Sequence, residues 1–431
     1  MITTAFVNIW NERVGAVYWD NEAGSASFEY DPLFLKSGLD VSPVKMPLDT
    51  AKGRIFTFKE LRNSSTFKAL PGLLADILPD KYGNALINAW LTRHGRPTDS
   101  LNPVEMLCFI GTRGMGAIEI EPAYPKSDKR SSAIEISSLV DAAEKILSGR
   151  REFITKVTDN NEKALIDILK IGSSAGGARA KAVIAFNQKT GEVRSGQTNA
   201  PRGFSHWLLK FDGVTDKQFG VSGGYGRVEM AYHYMAKDCG IDMTECRLLE
   251  ENGRAHFMTK RFDRLENNEK LHVQTFCGMQ HYDYNETTMF SYEQLFETMR
   301  ILGLSYPQAE QLYRRMVFNV MSRNCDDHTK NFAFIMDRSG KWELSPAYDL
   351  CHAYRPGSEW VSQHSLSVNG KRKDITKKDL VEVASQMNVK KAENIISQIS
   401  SVIENWNEYA ERTKVEKSLK GSIGKTLIQF D

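Results

Sequence analysis

The 431-residue sequence predicts an α+β fold. Three observations carry that expectation. Short strand-like runs separated by turn signals fill residues 1–60, and apolar residues recur at three- and four-residue spacing through most of 285–431. Between them, residues 133–265 combine strands, a glycine-rich loop and one helix.

Thr4-Ala5-Phe6-Val7-Asn8-Ile9-Trp10 is followed by Asn11-Glu12-Arg13, a turn signal, and then by Val14-Gly15-Ala16-Val17-Tyr18-Trp19. A second turn precedes Ser25-Ala26-Ser27-Phe28-Glu29-Tyr30, so the start reads as a small antiparallel sheet. From Phe58 to Leu107 the pattern turns helical, with Leu73, Leu74, Ile77 and Leu78, then Leu86, Ile87, Trp90 and Leu91, at helical spacing. Ala117-Ile118-Glu119-Ile120 reads as a closing strand. Residues 124–132, rich in Ser and mixed charge, read as a linker. A helix is expected from Tyr225 to Lys237, stopped by Gly240. The clearest helix starts at Pro307, with Ala309, Leu312, Tyr313, Met316, Val317, Val320 and Met321 on one face. The last long helix is expected to carry Ile395, Ile396, Ile399, Val402, Ile403, Trp406 and Tyr409 on one face.

At roughly 100–200 residues per domain the length allows two to four folding units. Lys+Arg is 56 and Asp+Glu is 54, a net +2, which argues against a nucleic-acid binder working by bulk electrostatics. No apolar run is long enough for a transmembrane helix, and the N-terminus does not read as a signal peptide. The six cysteines are scattered without a CxxC pair and read as free thiols. A cytoplasmic protein without membrane contact is expected.

The segment Asn324-Cys325-Asp326-Asp327-His328-Thr329-Lys330-Asn331-Phe332 carries the most chemistry. It follows a helix and precedes a hairpin, after which comes Ser345-Pro346-Ala347-Tyr348-Asp349. Protein kinases use this order: an Asp accepts the proton of the attacking hydroxyl, an Asn five residues on holds Mg²⁺, and a later Asp holds the same metal cluster. Mg²⁺ keeps several waters and takes few protein carboxylates, so a sparse Asn/Asp set suits it. Asp-Asp-His loops also cap helices, and a metal-dependent phosphohydrolase built on Asp326, Asp327 and His328 is a second reading.

Three further features fall in kinase order. Gly172-Ser173-Ser174-Ala175-Gly176-Gly177-Ala178-Arg179-Ala180-Lys181 is a small-residue loop able to bring backbone N–H groups to phosphates, although it is not a Walker A loop. Lys210 ends the strand Ser205–Phe211, and Glu229 in the following helix is its candidate partner. Phe257–Arg264 runs from a strand into a charged turn, where a nucleotide hinge would lie.

These residues resemble the HipA family of serine/threonine kinase toxins from bacterial toxin–antitoxin modules. The likeness runs through Asn11–Gly15, Phe28–Asp31 and Asp76–Asp80, then through Ser174–Lys181, similar to the family's SxxGxxxK loop. The segments Asp326–Phe332 and Pro346–Asp349 resemble its catalytic and metal motifs. The resemblance implies a two-lobed protein-kinase-like fold related to phosphatidylinositol 3/4-kinases. Its parts would be an N-terminal β-rich subdomain over 1–123, a nucleotide-binding N-lobe over 133–265 and a mainly helical C-lobe over 266–431. It implies ATP bound by Ala175, Gly176, Gly177, Ala178, Arg179, Ala180, Lys181, Lys210, Lys260, Arg261, Phe262, His328, Lys330 and Tyr348. Asp326 would be the catalytic base, and Asn331 and Asp349 the Mg²⁺ ligands. Ser174 aligns with the family's inhibitory autophosphorylation serine, with Ser173 as a second candidate.

The implied partners are a HipB-like helix-turn-helix antitoxin, operator DNA reached mainly through it, and a protein substrate of the aminoacyl-tRNA synthetase kind. The loop departs from the family at Arg179, where Gln is usual. The stretch Leu380–Asn388 offers Glu382, Ser385 and Asn388 where basic side chains would face DNA. A catalytically silent corepressor is the remaining alternative.

Overall fold

Alternating apolar side chains build the first sheet of the computed structural model, which describes residues 2–122, 180–196, 199–216, 220–221 and 223–430. Its strands are β1 (Thr4–Ile9), β2 (Glu12–Asp20), β3 (Ser25–Tyr30), β4 (Ile55–Thr57) and β5 (Ile118–Glu121), in the order β4-β3-β2-β1-β5. All neighbours are antiparallel. Along β1, Ala5, Val7 and Ile9 face inward while Phe6 is exposed. The first turn is tighter than the sequence suggests. Trp10 and Asn11 both take positive φ (49° and 69°), and β2 resumes at Glu12. Two such residues make the turn whose twist matches that of the flanking strands.

The helical stretch expected over 58–107 resolves into three pieces after irregular chain: α1 (Gly72–Ala75), α2 (Lys81–Arg93) and α3 (Pro103–Ile110). Asn102 and Glu105 form a reciprocal capping box at the start of α3.

A second antiparallel sheet contains β6 (Lys181–Phe186), β7 (Val193–Ser195), β8 (Ser205–Lys210), β11 (Cys246–Glu251) and β12 (Arg254–Lys260), in the order β11-β12-β8-β6-β7. A two-residue ladder, β9 (Thr215–Asp216) with β10 (Gly220–Val221), follows β8. One face of the large sheet carries Ala182, Ile184, Phe186, Trp207, Leu209 and Met258, and forms a common core with Tyr82, Leu86 and Leu91 of α2 and Phe109 and Ile110 of α3. Both sheets lie in one compact unit made of 1–226, 246–273 and 337–340.

The second unit comprises 227–245, 274–336 and 341–431. Its helices are α4 (Tyr225–Asp238, of which the first two residues belong to the first unit), α5 (Phe276–Gln280), α6 (Tyr292–Ile301), α7 (Tyr306–Met321), α8 (Lys377–Met387), α9 (Ala392–Glu404), α10 (Trp406–Arg412) and α11 (Lys417–Gly424). A three-stranded sheet has the order β13 (His272–Thr275, of which the first two residues belong to the first unit), β14 (Ala333–Met336), β15 (Trp342–Leu344). In α7, Pro307 stands in the first turn and Leu312, Tyr313, Met316, Val317, Val320 and Met321 are buried. The single long helix expected near the C-terminus is instead broken at Asn405, which ends α9 with φ −86° and ψ 18°. Past the break Trp406 is buried, edge-on to Tyr232 with centroids 5.8 Å apart, and its indole N–H donates to Lys420 O at 3.0 Å.

All six cysteines are free, five of them buried. Among the described residues no helix is long and apolar enough to cross a membrane.

Candidate active site

Helix α7 delivers the chain to the Asp-Asp-His segment. After its C-cap Ser322, Arg323 takes a positive φ of 56° and Asn324 N donates to Asn319 O at 3.0 Å, which closes the helix. Residues 325–328 then run without helical or strand pairing, and Thr329–Asn331 form one 3₁₀ turn. Burial alternates along this stretch. Cys325, Asp327 and Thr329 are buried, whereas the side chain of Asp326 is 47% exposed and that of His328 is 20% exposed.

The Asn331 side chain closes the loop: its Nδ2 donates to Asp326 O at 2.6 Å. The amide oxygen Oδ1 is its remaining acceptor. Tyr348 OH donates to Lys330 O at 2.7 Å and ties the segment carrying Asp349 to the loop carrying Asn331. Asp349 itself takes a φ of 54°, a left-handed conformation that Asp tolerates better than most residues. Arg315 of α7 is buried and donates through Nη2 to Ser345 O at 2.6 Å, bracing the start of that segment. Burial lowers the Arg315 pKa to about 10.

Asp327 faces the interior. Its Oδ2 accepts from Tyr292 OH at 2.8 Å and from His364 Nδ1 at 2.9 Å, and its Oδ1 accepts from Ser365 N at 2.8 Å. Burial alone would lower the pKa of His364, but the adjacent Asp327 carboxylate outweighs it and raises the pKa to about 10. The sequence reading missed Tyr292, His364 and Arg315. The first two are far from Asp327 in the chain, and no local spacing marks them. An arginine on the same helix as a long apolar face is the only available signal for Arg315.

Tyr284 stands beside the loop, 5.2 Å from the His328 ring, with Lys330 Nζ 4.9 Å from its own ring centroid. Among the described residues, His328 Nδ1 is buried without a hydrogen-bond partner.

In the first unit, β6 and β8 place Lys181 directly opposite Lys210. Opposite residues of an antiparallel pair share a face, and like charges there are destabilising. Lys181 is buried, and Lys210 lies 5.7 Å from the Phe257 ring centroid. Ala180, just before β6, accepts from Phe211 N at 3.1 Å.

Lys260 ends β12 opposite Trp207, and Arg261 N donates to His206 O at 2.9 Å. The Arg261 guanidinium is committed to Asp263, through Nε to Oδ1 at 2.8 Å and Nη2 to Oδ2 at 2.5 Å. Phe262 follows in the turn. Glu229 is buried on α4 and belongs to the second unit, whereas Lys210 belongs to the first. Ser173, Ser174, Ala175, Gly176, Gly177, Ala178 and Arg179 lie outside the described residues.

The donor chemistry suits a nucleotide with a hard cation. Asn331 Oδ1 and the Asp349 carboxylate are of the hard-oxygen type that could hold a cation such as Mg²⁺, which takes few ligands from protein. Among the described residues no three His, Cys, Asp or Glu side chains gather into a metal centre of their own. Among the described residues, the buried His328 Nδ1 has capacity left for a bound group.

Comparison with known proteins agrees with this picture. Residues 5–121 match the model of the HipA N-terminal domain, and residues 173–406 match that of the HipA-like C-terminal domain. No curated protein matches the chain. Among solved structures, it is similar to HipA of Shewanella oneidensis MR-1, from a toxin–antitoxin complex with HipB and operator DNA. The TM-score is 0.66 at 16% identity, covering 98% of this chain and 94% of that one. At that identity the likeness is one of fold, and it places the chain in the mixed α+β, HipA-like class. The proinflammatory kinase CtkA of Helicobacter pylori gives a TM-score of 0.33 at 13% identity, over 58% of this chain and 92% of its own.

Proposed function

The chain belongs to the HipA family of kinase toxins, and from that premise we propose that it transfers the γ-phosphoryl group of ATP to a protein serine or threonine. One observation carries the reading. A half-exposed carboxylate, Asp326, stands on a loop closed by the Asn five residues later, with Asp349 tied to the same loop through Tyr348. Asp326 would orient the acceptor hydroxyl and take its proton. Lys181 and Lys210 would bind phosphate oxygens, together with the backbone of the loop 175–180. Lys260, Arg261 and Phe262 would border the base, and His328, Lys330 and Tyr348 would border the nucleotide from the catalytic loop. Asn331 and Asp349 would hold Mg²⁺, which when bound neutralises charge on the phosphates.

Phosphorylation of Ser174 is the proposed self-inhibition. A phosphoserine adds about −1.5 to −2 charge at pH 7, and beside a phosphate-binding loop that charge repels ATP. The Shewanella relative is complexed with HipB and operator DNA. A HipB-like antitoxin is accordingly the proposed partner, with DNA reached mainly through it. The phosphohydrolase alternative needs Asp327 as a metal ligand, and that carboxylate is buried and already takes three donors.

The test is incubation with labelled ATP and Mg²⁺ beside Asp326→Ala and Ser174→Ala. Wild type is expected to take label, Asp326→Ala none, and Ser174→Ala markedly less. An unlabelled wild type whose 171–181 peptide carries no phosphate by mass spectrometry refutes the kinase reading.

A further inference from the structure

Asp326 and Asp327 are identical side chains on neighbouring residues, and the fold treats them in opposite ways. The Asp327 carboxylate is fully buried and accepts from α6 through Tyr292 and from the 364–365 segment through His364 and Ser365. Helix α7 joins through Asn319, whose Nδ2 donates to Tyr292 OH at 3.0 Å and whose Oδ1 accepts from Asn324 Nδ2 at 3.0 Å. The far edge of the His364 ring lies 3.7 Å from Cys325 Sγ. Arg372 closes the corner by donating to Ser365 O and, at 2.8 Å, to Phe290 O.

A buried carboxylate held by three donors cannot turn without leaving buried polar groups unpaired. Because buried and solvent-facing side chains alternate from 325 to 329, fixing Asp327 inward is what turns Asp326 outward. The geometry points to Asp327 and His364 as positioning residues, a buried clamp that sets where the Asp326 carboxylate stands. The inference rests on the kinase reading above, with Asp326 as the base.

The experiment uses full-length, phosphatase-treated protein. It measures the single-turnover rate of labelling at saturating ATP and, separately, the affinity for a non-hydrolysable ATP analogue. The variants are Asp327→Asn and Tyr292→Phe, with Asp326→Ala as control. A displacement of a reacting group by about 1 Å costs on the order of 100-fold in rate, and that loss is expected for Asp327→Asn. Analogue affinity should stay within about threefold of wild type, since the side chains of the clamp are buried. Tyr292→Phe removes one of the three donors and is expected to slow labelling roughly fivefold.

A merely structural role would lower rate and analogue affinity together, and that result overturns the clamp. So do rates within about twofold of wild type in both variants. If Asp327→Asn does not fold, Tyr292→Phe decides by the same two readouts. An unlabelled, unphosphorylated wild type instead brings down the kinase reading itself, and the clamp with it.

Discussion

Replacing Asp263 by Asn removes the centre of a buried charge cluster in the first unit. Asp263 is fully buried and accepts from Arg261 Nε at 2.8 Å, Arg261 Nη2 at 2.5 Å, Arg264 Nη1 at 2.6 Å and Gly116 N at 2.8 Å. Arg264 also donates to Gly116 O and Gly114 O, both at 2.9 Å, so the cluster ties the turn after β12 to the chain entering β5. Asn keeps the shape but loses the charge, leaving two buried guanidiniums facing each other. Removing one partner of a buried ion pair costs about 3–5 kcal/mol, and the same loss is expected here.

Urea unfolding followed by tryptophan fluorescence measures this loss, and hydrogen exchange locates it. Amides of 114–121 should exchange earliest in the variant, because their anchor is gone. Burial pushes the Asp263 pKa up, but the two guanidiniums outweigh it and hold the carboxyl well below the usual carboxylate range. A depressed folded pKa gives stability that is complete above the unfolded value and is lost as pH falls toward the folded one. The gap between wild type and variant should therefore be flat from about pH 5 to 8 and narrow only below about pH 4. A loss under about 1 kcal/mol, or a gap that changes through neutral pH, refutes the argument.

Three further predictions concern stability. Burial lowers the pKa of His272 to about 4, and its Nε2 lies 3.2 Å from Val41 O. The unfolded chain takes up the proton first, so stability should fall as pH drops from about 6.5 to 4, by roughly 3 kcal/mol for this residue. His233 and His352, also pushed to about 4, act in the same window, so His272→Gln should reduce the slope of Tm against pH without abolishing it. A Cβ on Gly226 would lie 2.0 Å from Ala255 O, a backbone atom, so Gly226→Ala should destabilise by about 3 kcal/mol. Gly421, in α11 with nothing within 4 Å of its Cβ direction, should instead gain about 0.5–1 kcal/mol on substitution by Ala. Thermal unfolding of the two variants should move in opposite directions.

Local patterning determined most of the elements. Alternation in 4–30 marked β1 to β3, Pro307 with its apolar face marked α7, and the hairpin expected after Phe332 is the β14–β15 pair, because strand and helix periods involve residues close in the chain. The order of Asp326, Asn331 and Asp349, with Lys210 before them, was likewise legible, since it needs only residue type and spacing. Tertiary structure decided what spacing does not encode. The break at Asn405 depends on where the Trp406 ring packs. The shared face of Lys181 and Lys210 depends on strand register. The pairing of Arg261 with Asp263, two residues on, is a buried contact that Gly116 N completes from a distant part of the chain. The sequence by itself placed two adjacent aspartates at the end of a helix and could not tell them apart. Only the donors brought in by Tyr292, His364 and Ser365, which stabilise a buried carboxylate at one position and not at its neighbour, separate the residue facing solvent from the residue holding it there.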